Sequence, residues 1–82
     1  MGLKKLADKV AEYQQRLAAG QAKKIEPELV ELVLGKLRRK EADLLADLAS
    51  ETDDAEREEL EHKLKVAREH IERAEWLQRE LA

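Results

Sequence analysis

The stretch "LLADLASETDDAEREELEHKL", residues 44–64, decides the fold. Leucine and alanine recur at helical spacing up to Ala49 and leucine resumes at Leu60. Between them "SETDD" (50–54) offers no apolar side chain. Ser, Thr and Asp accept hydrogen bonds from the free amides at a helix start, so such a cluster marks an entry. Asp53 with Glu56 fits a capping box, and Ser50 or Thr52 are alternative caps. The stretch therefore reads as helix, break, helix. A short break between two long amphipathic helices predicts an antiparallel αα-hairpin, 27–50 with 54–81 and a turn at 50–53.

Upstream of the break, the helix start is set at Pro27. Proline at the first helical position forgoes an amide that would be unpaired anyway, and it biases Glu26 toward extended backbone. Ile25 and Val30 then stand at the two positions of a hydrophobic staple. Glu28 and Glu31 put negative charge at the positive end of the helix dipole. Further upstream, Leu3, Leu6, Val10, Tyr13 and Leu17 repeat at 3-4 spacing, which predicts a shorter amphipathic helix over 3–18. Gly20 suits its C-terminal cap, and "QAKKIE" (21–26) reads as a linker. Downstream of the break, Leu60, Leu64, Ala67, Ile71, Ala74, Gln78 and Leu81 make the stripe of the third helix. The expected fold is all-α: a coiled-coil-like helical hairpin over 27–82 plus an N-terminal amphipathic helix within 1–20. It forms either a three-helix bundle or an oligomeric bundle.

Helix 27–50 carries two apolar stripes rather than one. Val30, Val33, Leu34, Leu37, Leu44, Leu45 and Leu48 gather on one side and are expected to pack on the third helix. Pairing outward from Thr52 sets Leu48 by Ala55, Leu44 by Leu60, Leu37 by Ala67 and Val30 by Ala74. Glu41 interrupts this leucine stripe. The same register brings it near Lys63, which suggests an ion pair that fixes the hairpin's alignment. The second stripe, Leu32, Gly35, Arg39, Ala42, Ala46 and Ala49, lies roughly opposite. Glycine costs ~1 kcal/mol against alanine inside a helix, and a row of small residues admits another backbone at close range. A further apolar group gathers where the hairpin opens, from Ile25, Leu29 and Leu32 on one side and Trp76 and Leu77 on the other. The candidate partner surface is therefore Leu29, Leu32, Gly35, Ala42, Ala46, Trp76 and Leu77.

Composition narrows the classes. The 82 residues include no Cys and no Phe, one Tyr and one Trp, so any core is aliphatic and no disulfide supports it. Charged residues are 43% of the chain with both signs mixed, the composition of long helices and coiled coils. Residues 1–40 hold ten Lys/Arg and five Asp/Glu, for +5; residues 41–82 hold six and fourteen, for −8, which together give the net −3. Folding the halves together sets these charges against each other. No run reaches the ~20 apolar residues that cross a bilayer. "MGLKKLADKV" lacks the apolar centre of a secretory leader, and Leu6 stands where a myristoylation signal needs Ser or Thr. A cytoplasmic protein is the expectation.

Chemistry-bearing patterns are weak. Glu59 and His62 make a Glu-x-x-His spacing, but His62 falls opposite the Leu60–Leu64 stripe, where it cannot project into a bundle as a metal ligand must. His62 and His70 are eight apart, not the four that lets two imidazoles share one metal, so both are expected in solvent. The acidic tip lacks the order of a calcium loop. No nucleophile stands with a base and no glycine-rich phosphate loop occurs. No catalytic residue, cofactor or metal is assigned, and a non-enzyme is expected. "GKLRRKE" (35–41) is the densest basic run, yet its cations spread around the helix rather than forming one nucleic-acid-binding face. The leading expectation is an interaction or assembly module that forms a homo-oligomer, a dimer first. The alternatives are an accessory subunit that docks helix 3–18 on a larger protein or an anionic membrane surface, and a nucleic-acid-associated helical protein.

Overall fold

The structure is a computed structural model that describes residues 2–82. It contains helices α1 (Leu3–Ala18), α2 (Pro27–Ser50) and α3 (Asp54–Leu81), with a 3₁₀ turn at Ala22–Lys24 and no strand among the described residues. The three helices pack as an up-down-up bundle, 47 × 20 × 18 Å, in which α2 and α3 form the antiparallel hairpin and α1 lies against both.

Local chemistry sets each boundary. Gly20 ends α1 at φ +74, a left-handed conformation that glycine adopts at no steric cost. The Gly20 amide donates to the Leu17 carbonyl and the Gln21 amide to the Arg16 carbonyl, a complete Schellman closure. The predicted linker holds structure of its own: its 3₁₀ turn is tied back to α1 by the Arg16 guanidinium on the Lys24 carbonyl, 3.3 Å. Ile25 then plunges into the core with Val30, the two positions of the staple. At the hairpin turn Asp53 Oδ1 accepts from the amides of Ala55 and Glu56 at 2.9 and 3.2 Å, as a cap should. The reciprocal half of the capping box falls to Glu51 rather than Glu56. Glu51 Oε1 accepts from the amides of Thr52 and Asp53.

The core is aliphatic, as the composition requires. The main cluster joins Leu6, Val10 and Tyr13 of α1 to Ile25, to Val30, Val33, Leu34 and Leu37 of α2, and to Ile71, Ala74 and Leu77 of α3. A smaller cluster toward the turn holds Leu44, Leu64 and Ala67, with Leu3, Leu48 and Leu60 against it. At 1.5 Å per residue α1 is roughly 24 Å long, against roughly 36 Å for α2 and 42 Å for α3. It therefore covers only the half of the hairpin away from the turn, with Leu3 as its furthest reach. Alanine opposite leucine at the centre of the hairpin lets the two long helices interdigitate at native density: Ala67 and Ala74 are wholly enclosed, as is Leu37.

The hairpin register is shifted by about one turn from the expected pairing. Leu44 clusters with Leu64 and Ala67 as well as Leu60, Val30 reaches Gln78 and Leu81 while sharing the core with Ala74, and Glu41 bridges to Arg68. The cause is the connection. Glu51 and Asp53 are extended, so the chain runs on past the end of α2 before α3 begins. The first turn of α3 overhangs that end, and Arg57 reaches back to donate to the carbonyls of Leu48 and Glu51 at 2.8 and 3.0 Å. Those carbonyls are among the four that every helix leaves unpaired at its C-terminus.

Candidate functional site

The slipped register rearranges the ion pairs. Glu41 does not meet Lys63. Its Oε2 accepts from Arg68 Nε at 2.9 Å, while Lys63 lies 3.6 Å from Glu59 on its own helix. Arg38 and Glu75 make a second bridge between the long helices at 3.0 Å. Both inter-helix pairs are at the edge of the interface and half open to water. Such pairs select the register more than they stabilise the fold. No polar or charged side chain among the described residues is buried.

The predicted partner residues divide into three groups. Leu77 is wholly buried and belongs to the core between α1 and α3, so it is not part of any outward surface. The sequence stripe missed this because Leu77 lies to one side of the α2-facing row, on the flank that α1 covers. Trp76, its neighbour, stands 40% exposed on the outer side of α3. Leu29, Leu32, Gly35, Ala42 and Ala46 all lie exposed on α2. α1 and α3 occupy the Val33 and Leu34 sides of that helix; the Gly35–Ala49 part of the stripe lies outside the core clusters, while Leu32 borders a dip shared with Lys9 and Tyr13 of α1. From Gly35 to Ala49 its side chains are exposed and belong to neither core cluster among the described residues.

This outward face of α2 is the candidate site. Leu32 is 53% exposed and Leu29 41%, and Leu45, which the sequence assigns to the core stripe, is 44% exposed at the other end. Between them the surface dips into a shallow groove lined by Glu28, Glu31, Leu32, Gly35, Lys36 and Arg39. The dip exists because Gly35 has no side chain, and an added Cβ there meets nothing within 4 Å. The groove is thus not filled from inside the molecule. On the flank shared with α1, Lys9 and Lys36 face each other over Tyr13, Leu29, Leu32 and Val33. This small basic rim joins α1 to α2, and no motif in either helix alone could announce it.

His70 departs from the expectation of full solvation. It is half-buried on α3 with Arg73 Nη1 3.5 Å from its Nδ1. Burial, then the Arg73 charge, lower its pKa from the ordinary 6.5, and Glu69 opposes them. His62 is exposed, and no three His, Asp or Glu among the described residues gather where a metal ion could be held. No protein family, curated protein or solved structure matches this chain.

Proposed function

We propose that the protein is a non-enzymatic helical assembly module that self-associates through the outward face of α2. One observation carries this reading. Among the described residues, three of the four large apolar side chains left exposed, Leu29, Leu32 and Leu45, stand on one helix, flanking a row of exposed small residues. A short domain gains little stability from its own core, and a second copy would cover leucine surface at ~25 cal/mol per Å2 removed from water. Trp76, 40% exposed on α3, offers a further anchor off that helix.

The alternative in which helix 3–18 docks on a larger protein or a membrane has less support. Leu6, Val10 and Tyr13 are the buried side chains of α1. Releasing the helix would expose them at roughly 1.5–3 kcal/mol each. A nucleic-acid role would draw on Lys9, Lys36 and Arg39, yet the chain is net negative. Sedimentation equilibrium from low to high micromolar concentration tests the leading reading. A dimer whose population rises with concentration, and falls in Leu32→Glu, is the expected result. A monomer throughout removes it.

A further inference from the structure

We infer that two copies pair antiparallel through α2, about a two-fold axis that crosses the helix between Lys40 and Glu41. This rests on the self-association reading and gives it a geometry. The outward side of α2 shows Leu32, at its α1 edge, then Gly35, Arg39, Ala42, Ala46 and Ala49, every one of them exposed. Their spacing, 3-4-3-4-3, is the same in either direction along the helix, so an inverted copy falls into register over all six.

Size chooses between the two orientations. In an antiparallel pair Leu32 meets the partner's Ala49 and Arg39 meets the partner's Ala42, while Gly35 meets the partner's Ala46. No layer sets two large side chains against each other, so the helices approach evenly along the seam. In a parallel pair Leu32 would meet its own copy, Gly35 would meet glycine, and two Arg39 guanidiniums would face each other in the middle of the seam. Large beside large, nothing beside nothing, and like charges at the centre all oppose that arrangement.

Charge agrees with size. Lys36 and Asp43 stand on one flank of the seam, seven residues apart, and same-flank positions meet in an antiparallel pair. Lys36 then faces the partner's Asp43, and symmetry makes the contact twice. Lys36, Arg39 and Asp43 form no ion pair within the chain among the described residues, whereas Arg38 on the other flank is held by Glu75. Leu45 on that flank gains the aliphatic stem of the partner's Arg38 as cover. The occupant of this face is therefore a second copy of the chain.

The chain has no cysteine, so engineered thiols report the geometry directly. Gly35→Cys and Ala46→Cys, made as separate proteins, are mixed and oxidised mildly. The expected product is a disulfide between the two variants, with no dimer from Ala46→Cys alone. In the inverted pair two copies of residue 46 lie roughly 16 Å apart along the axis, beyond disulfide reach. Circular dichroism checks that each variant stays helical, as exposed positions should. In parallel, Lys36→Asp and Asp43→Lys should each weaken the dimer roughly threefold to tenfold, and the double exchange should restore it. A disulfide from Ala46→Cys alone shows a parallel pair and overturns the inference. A dimer in sedimentation with neither cross-link places association on another face and overturns it too, while leaving self-association standing. A chain monomeric at high micromolar concentration ends both.

Discussion

His70 shows how a single half-buried group ties stability to pH. Desolvation first and the Arg73 charge second lower its pKa from 6.5, against a smaller opposing effect of Glu69. Below that ordinary value the unfolded chain takes up a proton more readily than the folded chain. Stability from this residue is therefore full above about pH 7 and falls as the pH drops through 6.5 and below. His70→Gln should flatten that part of the profile. Denaturant midpoints near neutral pH and about one unit below 6.5 check it, and an unchanged slope in the variant would assign the effect elsewhere. Packing residues act without reference to pH. Leu64 is 7% exposed and fills the small cluster with Leu44 and Ala67. Leu64→Ala should cost ~2–5 kcal/mol through lost burial and the cavity left behind, seen as a fall in the urea midpoint with the slope retained.

Gly35 makes the corresponding test for an element. It sits in the interior of α2, exposed, and a Cβ added there meets nothing within 4 Å. In the monomer Gly35→Ala should therefore raise stability by ~0.5–1 kcal/mol, since alanine has less backbone freedom to lose on folding. If α2 pairs with a second copy, the methyl meets the partner's Ala46 and leaves the pairing intact. A melt at a dilution where the chain is monomeric checks the gain, and sedimentation at higher concentration checks that association survives. The elements themselves were legible from local signals. Pro27, Gly20 and Asp53 set boundaries because each acts on backbone within a few residues of itself. The register was not legible, because it depends on the path of Glu51–Asp53 and on Arg57 reaching back to Leu48, which no helical periodicity encodes. The expected Glu41–Lys63 pair fails with the register, and the exposed Leu77 fails because α1 folds over its flank of α3. The second stripe on α2 was legible as a pattern, but only the placement of α1 showed that its Gly35–Ala49 part stays exposed among the described residues.

At the scale of the whole molecule, stability is graded along its 47 Å length. Three helices meet from Tyr13, Leu37 and Leu77 outward to Leu3, and beyond that level α2 and α3 have only each other. Charge steepens the gradient. Residues 42–61 carry nine carboxylates against the single cation Arg57, a net −8, whereas the rest of the chain, with fifteen cations and ten carboxylates, is +5. The two-helix end thus combines the smaller apolar cluster with the densest like charge, and both favour local opening. Native-state hydrogen exchange, at a dilution where the chain is monomeric, should find amides of 30–37 and 67–77 protected roughly tenfold or more beyond those of 46–50 and 58–62. Raising the salt concentration should narrow the gap by screening the carboxylates, since the Debye length falls to about 3 Å at 1 M, while the part that comes from the missing third helix should persist. Uniform protection along α2 and α3 would mean that the Leu44–Leu64–Ala67 cluster holds its end as firmly as α1 holds the other. At higher protein concentration an antiparallel partner over 32–49 should raise protection at 46–50 before it raises that at 58–62, because only the former lies on the paired helix.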